Sequence, residues 1–320
     1  MALPTTTEKD LNIQVIAHDK LTWVYIEKPT QLEMDYLSKR YPFHPLNLDD
    51  CISVIQRPKI DEYADHLFLV LHFPIYDKQS RLTTPSEVDF FIGENYLVTV
   101  HCSANLRPLA KFFKDCQLDE PTRRENMGRN AGYLLYKVMD RLVDYCFPML
   151  NKINANIEGL QDAVISKPLP ATAEGILVIR RDTTSMRRII RPQVAVVETL
   201  ERNLKQRKYP FLPEDLDVYF GDIGDHLHKL WGALDDYKEI VDALSDTANW
   251  LTSHRIQEVM RVLTIFMSVL MVVEVIASMQ GSNVLPQEWH DNKGIFFSLL
   301  AVQVAAVLAL LFFFRRRHWI

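Results

Sequence analysis

Two long apolar segments near the C-terminus constrain this chain more than any other feature. They run from about Val262 to Met279 and from Gly294 to Phe314, and each has roughly the 20 residues that a helix needs to cross a bilayer. Inside hydrocarbon a backbone must satisfy its own hydrogen bonds, so both segments are expected to be helices. The connector 280–293 is too short for a domain, and the sequence therefore predicts a transmembrane hairpin.

Charge at the two ends of the hairpin predicts its orientation. Arg255 and Arg261 precede the first segment, three arginines follow the second, and the connector is net acidic. Positive flanks stay on the cytoplasmic side, so both termini are expected in the cytoplasm, and the location expected for the chain is a bacterial inner membrane. No apolar leader follows Met1. Membrane lipids are expected partners, with headgroup anchors at Arg315, Arg316 and Arg317.

Composition excludes several classes of function. The formal net charge of -5 does not favour nucleic acid, and a chain with 10 glycines and no glycine-rich phosphate loop does not predict a nucleotide site. No residues have the spacing of a nucleophile elbow or a paired zinc motif, so the chain is not predicted to be an enzyme. The scattered cysteines suit a reducing compartment without disulfides. They are Cys51, Cys102, Cys116 and Cys146.

The first part of the chain, residues 1–128, reads as an α/β cytoplasmic domain. Short apolar, β-branched or aromatic runs alternate with turn-prone residues, which is typical of strands. A helix is expected over Gln31 to Lys39. The predicted strands are Leu21 to Ile26, His66 to Tyr76, Val88 to Ile92 and Tyr96 to His101.

From residue 129 onward helical spacing dominates. Residues 129–213 are expected to form a helical bundle with stretches over Ala131–Ser166 and Ala173–Lys205, interrupted by prolines. A third helix starts near Asp215 and continues to the membrane, about 100 Å at 1.5 Å per residue. It divides into a stalk, 214–257, and a first transmembrane helix, 258–281. The loop 282–293, the second transmembrane helix 294–314 and the basic tail 315–320 complete the chain.

One face of this last long helix carries a stripe of polar and methionine residues. The near-3.5-residue spacing of the stripe predicts packing around a common axis. Within it, Glu274 lies at lipid depth, where an ionised carboxylate costs at least ~2.5–3.5 kcal/mol and usually faces a bundle interior or a water path. One hairpin cannot enclose a pore, so the stripe predicts an oligomeric channel; a protonated Glu274 bonded to a neighbouring helix is the alternative. The stripe comprises Asp246, Asn249, Ser253, Gln257, Met260, Leu263, Met267, Met271, Glu274, Ser278 and Gly281.

Several motifs, in order along almost the whole chain, resemble the CorA family of divalent-cation channels. The C-terminal part of the resemblance is the run Glu258–Ile265 together with Gly281-Ser282-Asn283. The family signature there is Gly-Met-Asn, so this chain resembles a divergent branch, near the CmaX proteins. The remaining motifs are His44-Pro45-Leu46 with Asp49-Asp50, Gln56-Arg57-Pro58-Lys59, Met139–Asp144 and Tyr219-Phe220-Gly221-Asp222.

The resemblance implies a homopentamer with an α/β cytoplasmic funnel, long stalk helices and an inner ring of first transmembrane helices. It implies a selectivity ring at Asn283, within Gly281, Ser282 and Asn283, where amide oxygens hold a hydrated Mg²⁺ through its water shell. Hydrophobic constrictions are implied at Met260, Leu263 and Met271, and an acidic ring at Asp246. Regulatory Mg²⁺ between subunits is implied at Asp50, Asp140 and Asp222, so that a fall in internal Mg²⁺ loosens the interfaces and opens the pore.

Other readings stay open at this point. Asp222, Asp225, His226 and His228 resemble a metal cluster, and the i, i+4 pair Asp222 and His226 makes His226 a candidate zinc ligand; an exposed acid–histidine pair is the plainer alternative. The altered signature and the acidic pore residue keep a Zn²⁺ transporter of the same architecture, coupled to protons, as an alternative function. A membrane scaffold that does not transport ions is the third. An arginine group over 180–191 is read as a salt-bridged helix face.

Overall fold

The computed structural model describes residues 11–53, 56–77, 82–102, 106–166, 169–213, 215–281 and 293–319. It contains two compact units, Met1–Ser245 and Asp246–Ile320. The boundary falls inside the segment predicted as a stalk, and the helices within residues 129–213 belong to the same unit as the sheet. The α/β region and the C-terminal apolar helices that the sequence predicts are both present.

A six-stranded sheet forms the centre of the first unit. Its strand order is β1-β2-β6-β5-β4-β3, and all neighbours are antiparallel except β2 and β6. The four predicted strands are confirmed with longer bounds at three of them, whereas β1 and β3 were not predicted. The strands are β1 (Ile13–His18), β2 (Leu21–Glu27), β3 (Lys59–Glu62), β4 (His66–Asp77), β5 (Leu82–Gly93) and β6 (Tyr96–His101).

Two short helices cover one face of the sheet. Helix α1 (Gln31–Arg40) confirms the predicted helix, and its first turn closes with a capping box in which Thr30 and Glu33 satisfy backbone N–H groups reciprocally. Helix α2 (Pro45–Asp50) follows. Met34 and Leu37 are fully buried in one hydrophobic cluster with strand residues of β2, β4, β5 and β6.

The opposite face packs against the later helices. The indole of Trp23 meets the rings of Phe112 and Phe113 at centroid distances of 5.4 and 5.0 Å. The helical region therefore contributes to the same core as the strands, because aromatic burial of this kind is a large share of core energy. The helices are α3 (Arg107–Leu118), α4 (Glu120–Met127), α5 (Ala131–Asp144), α6 (Cys146–Ser166) and α7 (Leu169–Lys205).

One predicted helical stretch is wrong in its continuity. The expected helix from Ala131 to Ser166 is divided at Tyr145 into α5 and α6. Pro148 lies in the first turn of α6, where its missing N–H is tolerated, whereas a continuous helix would bring its ring against the carbonyl of Asp144. Helix α7 begins at Leu169, earlier than the expected Ala173. Pro170 falls in its first turn, where a missing backbone N–H is tolerated.

The two predicted C-terminal helices are present, and both are long and apolar enough to cross a membrane. Helix α8 (Leu216–Gly281) is continuous over 66 residues, and α9 (Lys293–Arg316) has 24. The most apolar 18-residue windows of the two helices have mean hydropathies of 2.3 and 2.6, and no residue of either window is buried within the chain. Apolar surface exposed on this scale requires a lipid or protein surrounding.

A buried hydrogen bond connects α7 to the sheet and is testable. The Thr83 backbone N–H donates to Asp182 Oδ1 at 2.8 Å, and both residues are buried. Asp182→Ala should leave that N–H unpaired and lower the free energy of unfolding by about 1–3 kcal/mol. Thermal unfolding followed by circular dichroism would measure the loss. Asp182→Asn keeps an acceptor oxygen, so its loss of stability should be much smaller. Glu174→Ala changes an exposed residue of the same helix and should leave the stability unchanged.

Candidate metal centre and membrane-spanning face

Three potential metal ligands from two helices meet in the first unit. Asp140 comes from α5, while Asp222 and His226 lie one turn apart on α8. One ligand atom from each of the three lies within 4.8 Å of the other two. The structure therefore brings Asp140, one of the predicted regulatory aspartates, to the pair of Asp222 and His226, which the sequence had already considered together.

Close packing of α5 against the start of α8 produces this meeting. A Cβ at Gly132 would lie 2.1 Å from Leu216 Cδ1, so any larger residue there would displace the buried Leu216 side chain. Tyr219 packs against Tyr136 at 4.9 Å between ring centroids, and its hydroxyl accepts a hydrogen bond from Arg129 at 2.8 Å. One turn further along each helix these contacts give way to Asp140 and Asp222.

Electrostatics at this group favour a bound cation. Partial burial raises the pKa of Asp140, and the charges of Asp144 and Asp222 raise it further, while Lys137 and His226 act in the opposite direction. Burial raises the pKa of Tyr136 to about 12, with further contributions from the charges of Asp140 and Asp222. Carboxylates that repel each other in a half-buried position are relieved by a divalent ion, which supplies the missing positive charge.

The imidazole of His226 can supply the third ligand atom of the group. Its Nε2 lies 3.9 Å from Asp222 Oδ1, too far for a hydrogen bond, and its buried Nδ1 has no hydrogen-bond partner among the described residues. Phe147 packs edge-on against the ring at 5.8 Å. The two carboxylates suit Mg²⁺, which takes oxygen ligands, and the imidazole adds a ligand that suits Zn²⁺ and other transition metals.

The rest of the sequence-predicted cluster is placed elsewhere. His228 Nε2 lies 2.9 Å from Glu198 Oε1 on α7, and Asp225 is exposed and outside the group. Of the four residues considered from spacing, only Asp222 and His226 belong to the group of three potential ligands. Spacing along α8 could not have shown that Asp140 replaces Asp225 and His228, because that ligand comes from another helix.

Asp50, the third predicted regulatory aspartate, is paired with a lysine. Lys59 Nζ lies 2.7 Å from Asp50 Oδ2 and 2.8 Å from Asp61 Oδ2. Burial acts to lower the pKa of Lys59, but hydrogen bonds to Asp50 and Asp61 outweigh it and raise the pKa. Asp50 therefore carries its own counter-charge within the chain and is not part of the Asp140–Asp222–His226 group.

In the second unit, the predicted pore residues of α8 share an uncovered face. The side chains of Met260, Leu263, Met267 and Met271 are 46–66% exposed, and Glu274 and Ser278 are also exposed. The half-buried positions of the same helix form a separate stripe on another side. That stripe comprises Ile265, Ser268, Val269, Val272 and Ile276.

Helix α9 lies beside the half-buried stripe. Gln303 Nε2 donates a hydrogen bond to the Val273 backbone carbonyl at 3.1 Å. Gln303 belongs to a matching helical stripe on α9, and the sequence interpretation did not single it out. A lone amide in an apolar run was the available signal, since polar groups within a span seek a partner. The α9 stripe comprises Ile295, Leu299, Gln303, Ala306, Val307, Leu310, Leu311 and Phe314.

The remaining predicted site residues belong to the second unit of the chain. Gly281 is the last residue of α8, and Ser282 and Asn283 fall outside the described residues. Asp246 is exposed on α8. The arginines 315–317 are exposed directly after the apolar run of α9, in keeping with their expected position at the headgroups.

Comparison with known proteins identifies the family. The model of the CorA-like Mg²⁺ transporter protein family matches residues 18–316. The chain belongs to this family. It is 27% identical over 310 residues to the cobalt/magnesium transport protein CorA of Thermotoga maritima, covering 93% of this chain and 83% of that protein.

Solved structures agree with the observed fold. The complete structure of the CorA magnesium transporter from Methanocaldococcus jannaschii superposes with a TM-score of 0.81 at 21% identity, covering 95% of this chain and 94% of that one. The full-length CmaX protein superposes at 0.73 and 15% identity, covering 91% and 88%. The resemblance read from the motifs is confirmed: the chain is a metal-ion transport membrane protein of the CorA family with two candidate transmembrane helices.

Metal binding to the group can be measured directly. At about 100 times the dissociation constant a ligand of the folded state adds roughly 2.7 kcal/mol, so Mg²⁺ or Co²⁺ should raise the Tm of the purified protein by several degrees. Asp140→Asn should raise the Tm without metal, because it removes a repelled carboxylate, and should abolish most of the metal-induced rise. Asp225→Asn is the matched control. An equal metal-induced rise in both variants would contradict the site.

The same group predicts a pH dependence. A raised pKa means that the folded state holds the Asp140 proton more tightly than the unfolded chain does. Without metal, the contribution of Asp140 to the free energy of unfolding should be fully present below the unfolded-state pKa of its carboxyl. This contribution should be lost as the pH rises through the folded-state pKa. The metal-induced rise in Tm should change in the opposite direction and disappear as acid protonates Asp140. Unfolding scans across this pH range, with Asp140→Asn as reference, test both trends.

Proposed function

We propose that this protein is a pentameric channel that conducts Mg²⁺ into the cytoplasm, with both termini on the cytoplasmic side of a bacterial inner membrane. The observation that carries the proposal is the uncovered α8 face from Met260 to Ser278. The chain's own second span packs on another side of α8. Other copies of the chain are left to surround this face, which includes the carboxylate of Glu274.

The composition of the face suits a gated cation path. Met260, Leu263 and Met271 are large and apolar, so a ring of each would form a constriction that closes by dewetting. Met267 and Ser278 complete the lining within the span. Rings of Glu274 within the span and of Asp246 below it would attract cations and exclude anions. Membership in a Mg²⁺ transporter family supports the choice of a divalent cation.

Selectivity is assigned to the loop after α8. Asn283, with Gly281 and Ser282, stands where the family signature places its asparagine. An amide ring suits Mg²⁺ because this ion gives up its water shell reluctantly and can be recognised through it. Serine in place of methionine removes apolar bulk beside the ring.

Regulation is assigned to the Asp140–Asp222–His226 group. In the proposed cycle, internal Mg²⁺ binds there and at the subunit interfaces, neutralises the carboxylates and stabilises the closed state. When internal Mg²⁺ falls, the carboxylates repel each other and the population shifts to the open state. Asp50 supports this less well than the other two aspartates, because Lys59 already neutralises it.

Ion flux into proteoliposomes tests the transport proposal. Wild-type protein should admit Mg²⁺, reported by an internal dye, without needing a pH gradient. Asn283→Ala should abolish selective Mg²⁺ uptake while the oligomer still assembles, as measured by size-exclusion chromatography with light scattering. Asn292→Ala, at the other end of the same loop, is the control. Selective uptake by Asn283→Ala would remove the ring from the proposal.

A second candidate function is a Zn²⁺ transporter of the same architecture coupled to protons. Glu274 favours it, because a carboxylate in the span can bind and release a proton. In that case Zn²⁺ entry should increase with an imposed proton gradient, and Glu274→Gln should abolish the increase. Zn²⁺ flux that is independent of the gradient in both proteins would eliminate this candidate. A non-transporting scaffold would show neither flux and no growth rescue in a metal-dependent strain.

A further inference from the structure

A cavity of about 600 Å³ lies between α3, α4 and α5, beside the candidate metal centre. Asp140 lines both the cavity and the metal group. The volume is in the range of small-molecule sites. The cavity is lined by Arg107, Pro108, Lys111, Phe112, Glu125, Asn126, Lys137, Asp140, Arg141, Asp144 and Tyr145.

Four cations line this cavity as two pairs. Arg107 and Lys111 lie one turn apart on α3, and Lys137 and Arg141 lie one turn apart on α5. Among the described residues, none of the four has a carboxylate partner within 4 Å. Like charges one turn apart destabilise a helix, so each pair is unfavourable until an anion is present.

Aromatic rings orient the two α5 cations. The Arg141 guanidinium carbon lies 4.5 Å from the centroid of the Phe112 ring, and Lys137 Nζ lies 5.5 Å from that of Tyr136. Cation–π contact of this kind holds a side chain in place without neutralising it. The charges of Lys137 and Arg141 therefore remain available to a ligand.

The beginning of α3 adds a third source of positive potential. Arg107 and Pro108 are the first residues of this helix of 12 residues, and both line the cavity. The N-cap residue Leu106 makes no side-chain capping bond. The helix dipole makes the first turn of α3 a region of positive potential, which favours an anion.

We infer that the α3–α5 cavity binds a compact anion with two phosphate groups, of the pyrophosphate class. Paired cations on opposite helices match two anionic groups, and lysine and arginine are the side chains suited to phosphate oxygens. Recognition here uses side-chain cations, so the lack of a glycine-rich loop does not exclude it. Asn126, which is 3% exposed, adds a neutral polar side chain to the lining. It repels neither the anion nor the cations.

Carboxylates on the same lining connect the anion to the metal. Glu125, Asp140 and Asp144 oppose an anion while they are ionised and unliganded. A divalent ion on Asp140 and Asp222 removes part of that opposition, so anion and metal each strengthen the binding of the other. This coupling rests on the proposed regulatory metal site, whereas the anion site itself rests only on the cavity and its cations.

Equilibrium binding of pyrophosphate to the detergent-solubilised full-length protein tests the anion site. Arg107→Gln combined with Lys111→Gln should weaken binding by roughly tenfold or more, a loss of at least about one decade in Kd. Lys114→Gln, an exposed α3 lysine outside the cavity, should bind as wild type does. Inorganic phosphate should bind more weakly than pyrophosphate, and ATP shows whether a nucleoside is accepted. A single cooperative unfolding transition and wild-type elution in size-exclusion chromatography show that the double variant is folded.

The outcomes separate this inference from the proposed function. No pyrophosphate binding by wild type, or equal binding by the folded double variant, overturns the anion site and leaves the metal centre standing. Equal weakening by Lys114→Gln also overturns it, since general surface charge would then explain binding. Repeating the titration with and without excess Mg²⁺ tests coupling: Mg²⁺ should increase the affinity of wild type more than that of Asp222→Asn, which alters a metal ligand outside the cavity lining. The same Mg–pyrophosphate complex is present with both proteins, so equal increases overturn the coupling alone.

Discussion

The unbroken backbone hydrogen-bond ladder of α8 is the interaction on which both candidate sites depend. Its first turns carry Asp222 and His226, and its last turns carry Glu274 and Ser278. Three glycines and no proline occur between residues 216 and 245, yet the helix continues because tertiary packing outweighs their low propensity. A break anywhere along α8 would disconnect the residues proposed to sense a metal from those proposed to conduct it.

Different physical rules govern the two ends of this helix. Near its start, apolar residues such as Leu216 and Phe220 are buried against the rest of the first unit. Among the candidate metal ligands there, Asp140 and His226 are half-buried and Asp222 is exposed. Near its end, the apolar residues are exposed, and an ionisable group such as Glu274 is the exception that needs explaining. Ionised carboxylates are therefore tolerated near the start of this helix, whereas near its end they carry a large free-energy cost in the membrane. The proposed functional residues include carboxylates at both ends.

Sequence reasoning reached the fold class and the family, but it missed particular elements for physical reasons. Strands β1 and β3 are short and lie at the sheet edges, where burial is one-sided and the apolar pattern is weak. The α5–α6 break was hidden because apolar spacing continues through it, although Pro148 marked its place. Helix α3 has an amphipathic run around Phe112 and Phe113 that a period of 3.6 would have detected.

What the sequence determined by itself is local: span length, flanking charge, helix periodicity and the linear motifs of a CorA family member. Each of these depends on residues that are close together in the chain, because span length and helical periodicity are properties of one continuous segment. Only the tertiary structure decided which distant residues share a site. Asp140 lies beside Asp222 and His226. Asp50 forms a salt bridge with Lys59, and Gln303 donates a hydrogen bond to the Val273 carbonyl. Contacts between helices depend on which faces pack together, and no spacing along one helix specifies its partner.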